Sequence, residues 1–373
     1  MKKTWLGLIL LVFLISCSTK QDESIIKWGF IAPLTGSSVT YGMPGLNSAK
    51  IAIDEINAAG GINGKKVELI VEDGKCEGVT AVTAAKKLID INKVKVIFGG
   101  HCSTESIAII PVSREADIFQ IASTTSSPVY SGQYRYALRT TASTNHYAKI
   151  QAEVAWKKGY RTIAILEEQR DFPKAVVDSF SSRFKELGGS ILAVETFAPE
   201  SADFRTELLK LEKTNPDAFL VSTGGTGSTG LIFRQLKELA IEVPVMGNAV
   251  TINQAAWNQS GESMPSSAWA VTQHVDMNAS PITKHFHEEY TRRFGDSPID
   301  WSYTAESYDA IKLFAEFYAK CGYDNECLRS EFVNIKGRVI ASGTVTFDEN
   351  TEPLHKYALT HVENGKNVYE PIE

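Results

Sequence analysis

FGGHCSTESIAIIPVSREADIFQIASTTSSPVY, Phe98 to Tyr130, reads as strand, sharp turn, helix, strand and turn. Val94 to Phe98 is a short apolar run rich in β-branched residues, and Gly99-Gly100 permits an abrupt change of direction behind it. Ser103 and Thr104 stand where a helix must begin, with Glu105 in its first turn and Ile107, Ala108, Ile110 and Pro111 on its apolar side. A second buried strand, Asp117 to Ala122, ends in the hydroxyl-rich turn Ser123-Thr124-Thr125-Ser126-Ser127 before Pro128. Two consecutive strands of one α/β sheet thus finish in small polar residues. Open α/β sheets bind ligands at that carboxyl edge.

The same grammar extends in both directions. Upstream, strand Ile25 to Pro33 is closed by Leu34-Thr35-Gly36-Ser37 and Tyr41-Gly42. A helix from about Gly45 to Ala59 is stopped by Gly60-Gly61-Ile62-Asn63-Gly64. Strand Val67 to Asp73 and helix Val79 to Ile91 complete the approach. Downstream the series restarts with helix Asn145 to Lys158, strand Thr162 to Leu166 and the polar run Glu167 to Asp171 before Phe172-Pro173. Helix Lys174 to Leu187, strand Ile191 to Phe197, helix Asp203 to Thr214 and strand Ala218 to Val221 follow. A Gly/Thr/Ser loop, helix Leu231 to Leu239 and strand Val243 to Met246 close the second series. Strands alternating with helices of this length predict parallel sheets covered on both faces, here in two similar lobes. The tail predicts helices Pro281 to Phe294 and Trp301 to Lys320, then antiparallel strands Val339 to Phe347 and Lys356 to Val362.

The first residues belong to a different problem. Lys2 and Lys3 precede an apolar run, Trp5 to Ile15, too short to span a bilayer. Its end, Leu14-Ile15-Ser16-Cys17, resembles the lipobox of bacterial lipoprotein signals. That resemblance implies removal of residues 1–16, lipid on Cys17, a tether over 17–24 and a place in the cell envelope facing the periplasm or exterior. No other stretch is long and apolar enough to cross a membrane. The 373-residue chain is too long for a single core even without its leader. Its net charge of −6 becomes more negative without Lys2 and Lys3, which argues against nucleic acid as a partner. With Cys17 assigned to lipid, Cys76, Cys102, Cys321 and Cys327 remain, an even number that favours disulfides in an exported chain. Three pairings are possible. Proximity favours Cys321–Cys327, which leaves Cys76 to pair with Cys102 and pin the position of Ser103.

Four stretches together are similar to a known family: Leu34-Thr35-Gly36 through Tyr41-Gly42, Asp54 to Lys65 (DEINAAGGINGK), Gly99 to Ser103, and Ser302-Tyr303 through Tyr308-Asp309-Ala310. They resemble the leucine/isoleucine/valine-binding group of periplasmic substrate-binding proteins, which serve ABC transporters. The resemblance implies two α/β lobes with doubly wound parallel sheets, joined by three crossovers and closing over a small ligand. It puts residues 25–143 and 276–342 in lobe 1, and 144–275 and 343–373 in lobe 2. It implies that Ser103 holds a ligand carboxylate, that Thr124 and Ser126 contact carboxylate and ammonium, and that Tyr41 and Tyr303 form cleft walls. Thr104 shares the helix N-terminus with Ser103, a natural place for an anion. Phe172 sits just beyond a strand end and reads as a further wall.

Two departures bear on the ligand. Phe172-Pro173 stands where the family's second lobe offers a Tyr-Gly pair, and the loop Gly224 to Gly230, with Thr226, carries no acid where the family offers a glutamate to an ammonium. Either Glu168, Asp171 or Glu306 replaces it, or the ligand is not an α-amino acid. Ordinary leucine, isoleucine and valine are therefore expected to bind weakly.

The remaining motifs subtract possibilities. Gly225-x-Gly227-x-x-Gly230 matches a dinucleotide fingerprint in form, but the next strand ends in Gly247-Asn248 where an acid should hold a ribose. It reads instead as a loop that approaches the ligand closely, with Thr226 a ligand contact. His101, His274, His285 and His287 show no metal spacing and read as surface or structural residues. No nucleophile elbow, Walker loop or HExxH pair is present. The expectation is a monomeric, cofactor-free, non-enzymatic solute-binding lipoprotein that hands its ligand to a permease. The alternative is a subunit that signals ligand to a membrane receptor.

Overall fold

A computed structural model describes residues 25–372. The leader, the tether and the lipidation position Cys17 lie outside the described residues. The chain runs β1 (Ile25–Ala32), α1 (Val39–Ala58), β2 (Lys66–Asp73), α2 (Gly78–Lys86), β3 (Val96–Phe98), α3 (Ser103–Glu115), β4 (Phe119–Ala122) and β5 (Ala137–Arg139). The second series is α4 (Thr144–Lys157), β6 (Thr162–Glu168), α5 (Asp171–Glu186), β7 (Ser190–Phe197), α6 (Arg205–Glu212), β8 (Ala218–Ser222), α7 (Thr226–Glu238), β9 (Val245–Gly247), α8 (Gln254–Ser260) and β10 (Trp269–Gln273). The tail adds α9 (Pro281–Phe294), α10 (Trp301–Cys321), α11 (Asn325–Val333), β11 (Arg338–Ile340), β12 (Gly343–Phe347), β13 (Pro353–Leu354), β14 (Tyr357–Glu363) and β15 (Lys366–Pro371).

Three sheets result. The first has the order β2-β1-β3-β4-β5 and is parallel throughout. The second has the order β15-β14-β10-β9-β8-β6-β7, parallel from β7 to β10 and antiparallel at β14 and β15. A small antiparallel sheet joins β11, β12 and β13. Each large sheet reverses its strand order once, between β1 and β3 in the first and between β6 and β8 in the second. A crevice opens at such a reversal because the helices on either side leave in opposite directions.

The first sheet is not completed locally. Trp28, Phe98 and Phe119 pack against Phe314 of α10, with ring centroids 5.2, 5.4 and 6.0 Å away respectively. Val345 and Phe347 of β12 join this same core. Fully burying one such side chain stabilises by roughly 1.5–3 kcal/mol. The second sheet is covered on one face by Tyr147, Phe180 and Phe184, and on the other by Phe204, Leu208 and Phe233. The chain therefore passes between the two packing units after β5, after β10 and after β13.

Several boundaries move. Helix α1 starts at Val39 rather than Gly45, carrying Pro44 inside its second turn, and Gly42 lies against the Pro33 carbonyl. Helix α5 starts at Asp171 rather than Lys174, with Pro173 in its first turn. Helix α7 starts at Thr226 rather than Leu231: the Thr229 hydroxyl donates to the Gly225 carbonyl at 3.1 Å, and Gly230 packs on Gln259. The helix predicted to reach Ile91 finishes as a π-turn over Lys87–Ile91. The strand predicted over Val339–Phe347 is split at Ala341-Ser342, whose N–H groups both donate to the buried Asp309 carboxylate at 2.8 Å.

Candidate functional site

The edge after β3 is built for close approach. A Cβ on Gly99 would lie 2.5 Å from the Ile31 carbonyl oxygen, and one on Gly100 2.2 Å from Cβ of Glu105. Glycine is required at both. Cys102 caps α3, and the buried Glu105 reaches back to accept from the N–H groups of Cys76, His101 and Cys102 at 2.8, 2.9 and 3.0 Å. Burial pushes the Glu105 carboxyl up to about 7, against the pull of those three donors. The Cys76–Cys102 disulfide forms here, with Cα atoms 5.4 Å apart, and Cys321–Cys327 forms between the end of α10 and α11.

Ser103 is the first helical residue rather than the cap. Its Oγ accepts from the Ser127 N–H at 3.2 Å, which ties the helix start to the hydroxyl-rich turn after β4. Within that turn Thr124 donates to the His101 carbonyl at 2.6 Å, and Ser123 bonds Ser307 at 2.9 Å. Arg139, buried at the end of β5, donates to the carbonyls of Thr125 and Ser127 at 3.2 and 2.8 Å and pairs with Glu352. The turn is thereby held from behind by a charge-assisted network. His101 is buried rather than on the surface, and desolvation pushes its imidazole down to about 4, so it is neutral at pH 7.

The edge after β6 and β8 faces it with different chemistry. Glu168 is buried, and its carboxylate accepts from the Gly224 N–H at 2.8 Å and pairs with Nε of Arg170 at 2.9 Å. Arg170 then reaches across the gap and donates to Ser38 and Ser37 at 3.2 and 3.3 Å. Tyr41 crosses the same gap, donating to the Ala249 carbonyl at 3.2 Å and accepting from Asn253 at 2.9 Å. Ser38 donates to the Gly224 carbonyl at 3.3 Å. The two edges are in contact through side chains, not merely opposed.

Between them lies a cavity of about 620 Å³, mouth included. Tyr41, Ser103, Thr104, Thr124, Ser126, Phe172 and Tyr303 all line it, as do Cys76 and Cys102. Thr226 does not: its hydroxyl donates to Thr40 at 3.4 Å and accepts from Gln259 at 3.0 Å, within the inter-edge contact. The same is true of the glycine loop, where only Gly224 reaches the cavity and Gly225 lies against the Ser37 carbonyl. Sequence reasoning passed over Ser38, His101, Arg170, Pro173, Ala249 and Val250, which complete the lining. Of the acids proposed to replace the missing glutamate, none lines it. Glu168 is engaged as described, Glu306 is buried against Gln273, and Asp171 faces an outer groove with Lys174 and Glu200. Among the described residues no three His, Cys, Asp or Glu side chains cluster as a metal site would need.

The sequence profile described as periplasmic binding protein matches residues 25–367. A relative, the Leu/Ile/Val-binding protein BraC3 of Rhizobium johnstonii, is 26% identical over 349 residues, covering 92% of this chain and 93% of the relative. The chain belongs to the type I periplasmic binding proteins, the leucine/isoleucine/valine-binding family. The family binds solutes, is non-catalytic and works outside the cytoplasm. Among the described residues of this binding protein, no helix is long and apolar enough to cross a membrane. Its fold is similar to that of the leucine binding protein LivK from Thermotoga maritima, with a TM-score of 0.85 at 24% identity, covering 92% of this chain and 97% of that one. It is also similar to a solute binding protein of an ABC transporter from Rhodopseudomonas palustris, solved with 3,4-dihydroxy benzoic acid. There the TM-score is 0.81 at 23% identity, covering 94% of this chain and 97% of the other.

Proposed function

We propose that this periplasmic binding protein captures a small carboxylate-bearing ligand in the cavity between its lobes and delivers it to an ABC permease. The observation that carries the reading is convergence. Residues from both strand-order reversals line one enclosed space, with a helix N-terminus and hydroxyls on one side and aromatic walls around it. In this reading Ser103, Thr104, Thr124 and Ser126 receive the carboxylate, and Tyr41, Phe172 and Tyr303 enclose the rest of the ligand. The ligand touches both lobes only when they are together, so binding shifts the population toward the closed form. Leucine and 3,4-dihydroxy benzoic acid, the ligands of two of the similar proteins named above, share a carboxyl group.

The reading places lobe 1 over residues 25–143 and 276–342 and lobe 2 over 144–275 and from 343 onward. The packing of Val345 and Phe347 in the first core favours moving the second boundary past Phe347. It includes a monomer held at the membrane by lipid on Cys17, and Cys17→Ala should release the protein from the membrane fraction. Ser103→Ala combined with Ser126→Ala should weaken ligand binding by about tenfold or more in calorimetry in a protein that still folds, the loss of the acceptor for the buried Ser127 N–H costing about 1–3 kcal/mol of stability. Unaltered affinity in that double variant would remove the assigned carboxylate site.

A further inference from the structure

We propose that the cavity selects small carboxylates that carry no ammonium group and have an apolar, branched or aromatic body, and that Arg170 sets this preference. The inference rests on the capture function above and narrows it. The lining holds one permanent cation, Arg170, and no acid. The Arg170 side chain is only 9% exposed. Its Nε is fixed by Glu168, so its Nη atoms are turned toward Ser37, Ser38 and the cavity.

No acid near the cavity lines it; Asp300, whose charge Tyr41 and Tyr303 feel, caps α10 by accepting from the Ser302 N–H at 2.8 Å. Glu168 spends its oxygens on Arg170, on the Gly224 N–H at 2.8 Å and on Ser228 at 3.4 Å. Glu306 accepts from Gln273 at 2.7 Å, deep in the protein, and burial pushes its carboxyl up. Asp171 lies in the outer groove beside Lys174. Glu105 points away from the cavity, into the N–H groups beneath α3.

Consider an α-amino acid seated with its carboxylate at Ser103. Its ammonium would be desolvated in a space where, among the described residues, the lining offers no acid and its one charged group is a guanidinium already paired with Glu168. Hydroxyls and carbonyls can accept its hydrogen bonds, but nothing offsets its charge, and the like charge of Arg170 raises the cost. A carboxylate without an ammonium meets the opposite situation. Its charge faces the start of α3 on one side and the buried guanidinium on the other, and a guanidinium suits a planar oxyanion. The remaining walls, Tyr41, Phe172, Pro173, Val250 and Tyr303, offer rings and apolar faces to the body of the molecule.

Matched pairs that differ at the amino position test this on the intact protein. Calorimetry would compare leucine with 4-methyl-2-oxopentanoate and with 4-methylpentanoate, and phenylalanine with 3-phenylpropionate. The ammonium-free member of a pair should bind about tenfold or more tightly. Arg170→Gln should weaken that member and narrow the gap, and Arg170→Lys should restore part of it. Because Arg170 also bridges the lobes, a second variant guards the result: Val250→Asp adds an acid to the lining and should shift preference toward the amino acid in each pair. Equal or tighter binding of the amino acids by the wild-type protein overturns the inference and leaves the capture function standing. If no member of any pair binds, the capture function falls together with it.

Discussion

The two edges that meet at the cavity do the same job by opposite means. The edge after β3 and β4 is mostly backbone: glycines that admit no side chain, a helix start, short hydroxyls, and a disulfide and buried Arg139 holding them from behind. The edge after β6 and β8 is mostly side chain, with Arg170 aimed by Glu168 and with Phe172 and Pro173 forming a wall. A backbone edge offers fixed N–H groups and hydroxyls and has little freedom to change its chemistry. A side-chain edge can be rewritten one residue at a time. Under the proposed function, the second edge sets ligand class and the first anchors the ligand.

That contrast can be broken at four points, in descending order of effect. Arg139→Met leaves Glu352 and two carbonyls without their partner, and should cost about 3–5 kcal/mol in denaturant unfolding while weakening binding through the Ser123–Ser127 turn. A smaller loss would mean the turn holds itself. Removing the Cys76–Cys102 bridge with paired serines should cost roughly 3–4 kcal/mol and also impair binding. The same change at Cys321–Cys327, with a sequence separation of only 6, should cost roughly 2 kcal/mol and leave binding alone. Equal effects on affinity would deny the first bridge its role in positioning Ser103.

The third test is pH. His101 has its folded pKa lowered from 6.5 to about 4, so the unfolded chain binds the proton more readily and stability rises with pH across that window. Stability is full above about 6.5 and is lost as pH falls toward 4, by on the order of 3 kcal/mol for this group alone. Glu105, pushed up to about 7, works in the opposite direction, contributing most below about 4.5 and losing that contribution as pH rises to 7. The difference between wild type and His101→Gln, measured by denaturation at pH 7 and pH 5, isolates the histidine. It should shrink at the lower pH, and a constant difference would refute a neutral buried imidazole. Last, Phe172→Ala should cost about 1 kcal/mol or less in stability, because the ring is only partly buried, yet weaken ligand binding by roughly tenfold.

The backbone edge was legible from sequence because its chemistry is tied to local spacing. Gly99-Gly100, Ser103 and the Ser123–Ser127 turn follow directly from where strands end. The side-chain edge was less so. Arg170 sits in the run Glu167-Glu168-Gln169-Arg170-Asp171, which has the composition of a solvated surface loop, and only the burial of Glu168 turns it inward. His101, read as surface or structural, was not recognised as part of the cavity lining for a related reason. Its space exists because residue 45 is glycine: a Cβ there would stand 2.3 Å from the imidazole Cε1. No local pattern links two positions so far apart in the chain. Thr226 was assigned to a ligand because glycine-rich runs suggest loops, whereas side-chain hydroxyls bonded to the Gly225 carbonyl begin a helix there and turn Thr226 toward the other lobe.

The reliance of the first sheet on α10 also has a consequence in time. Strands β6 to β10 can pair and be covered using residues 144–273, which are contiguous in the chain. The aromatic face of β1, β3 and β4 waits for Phe314, which is made and exported much later. Until then Trp28, Phe98 and Phe119 lack the rings that shield them. Contacts so distant in sequence form slowly because a long loop must close first. Pulsed hydrogen exchange during refolding should therefore protect the amides of β6 and β8 before those of β1 and β3. The part of the protein synthesised first would be the last to become ordered.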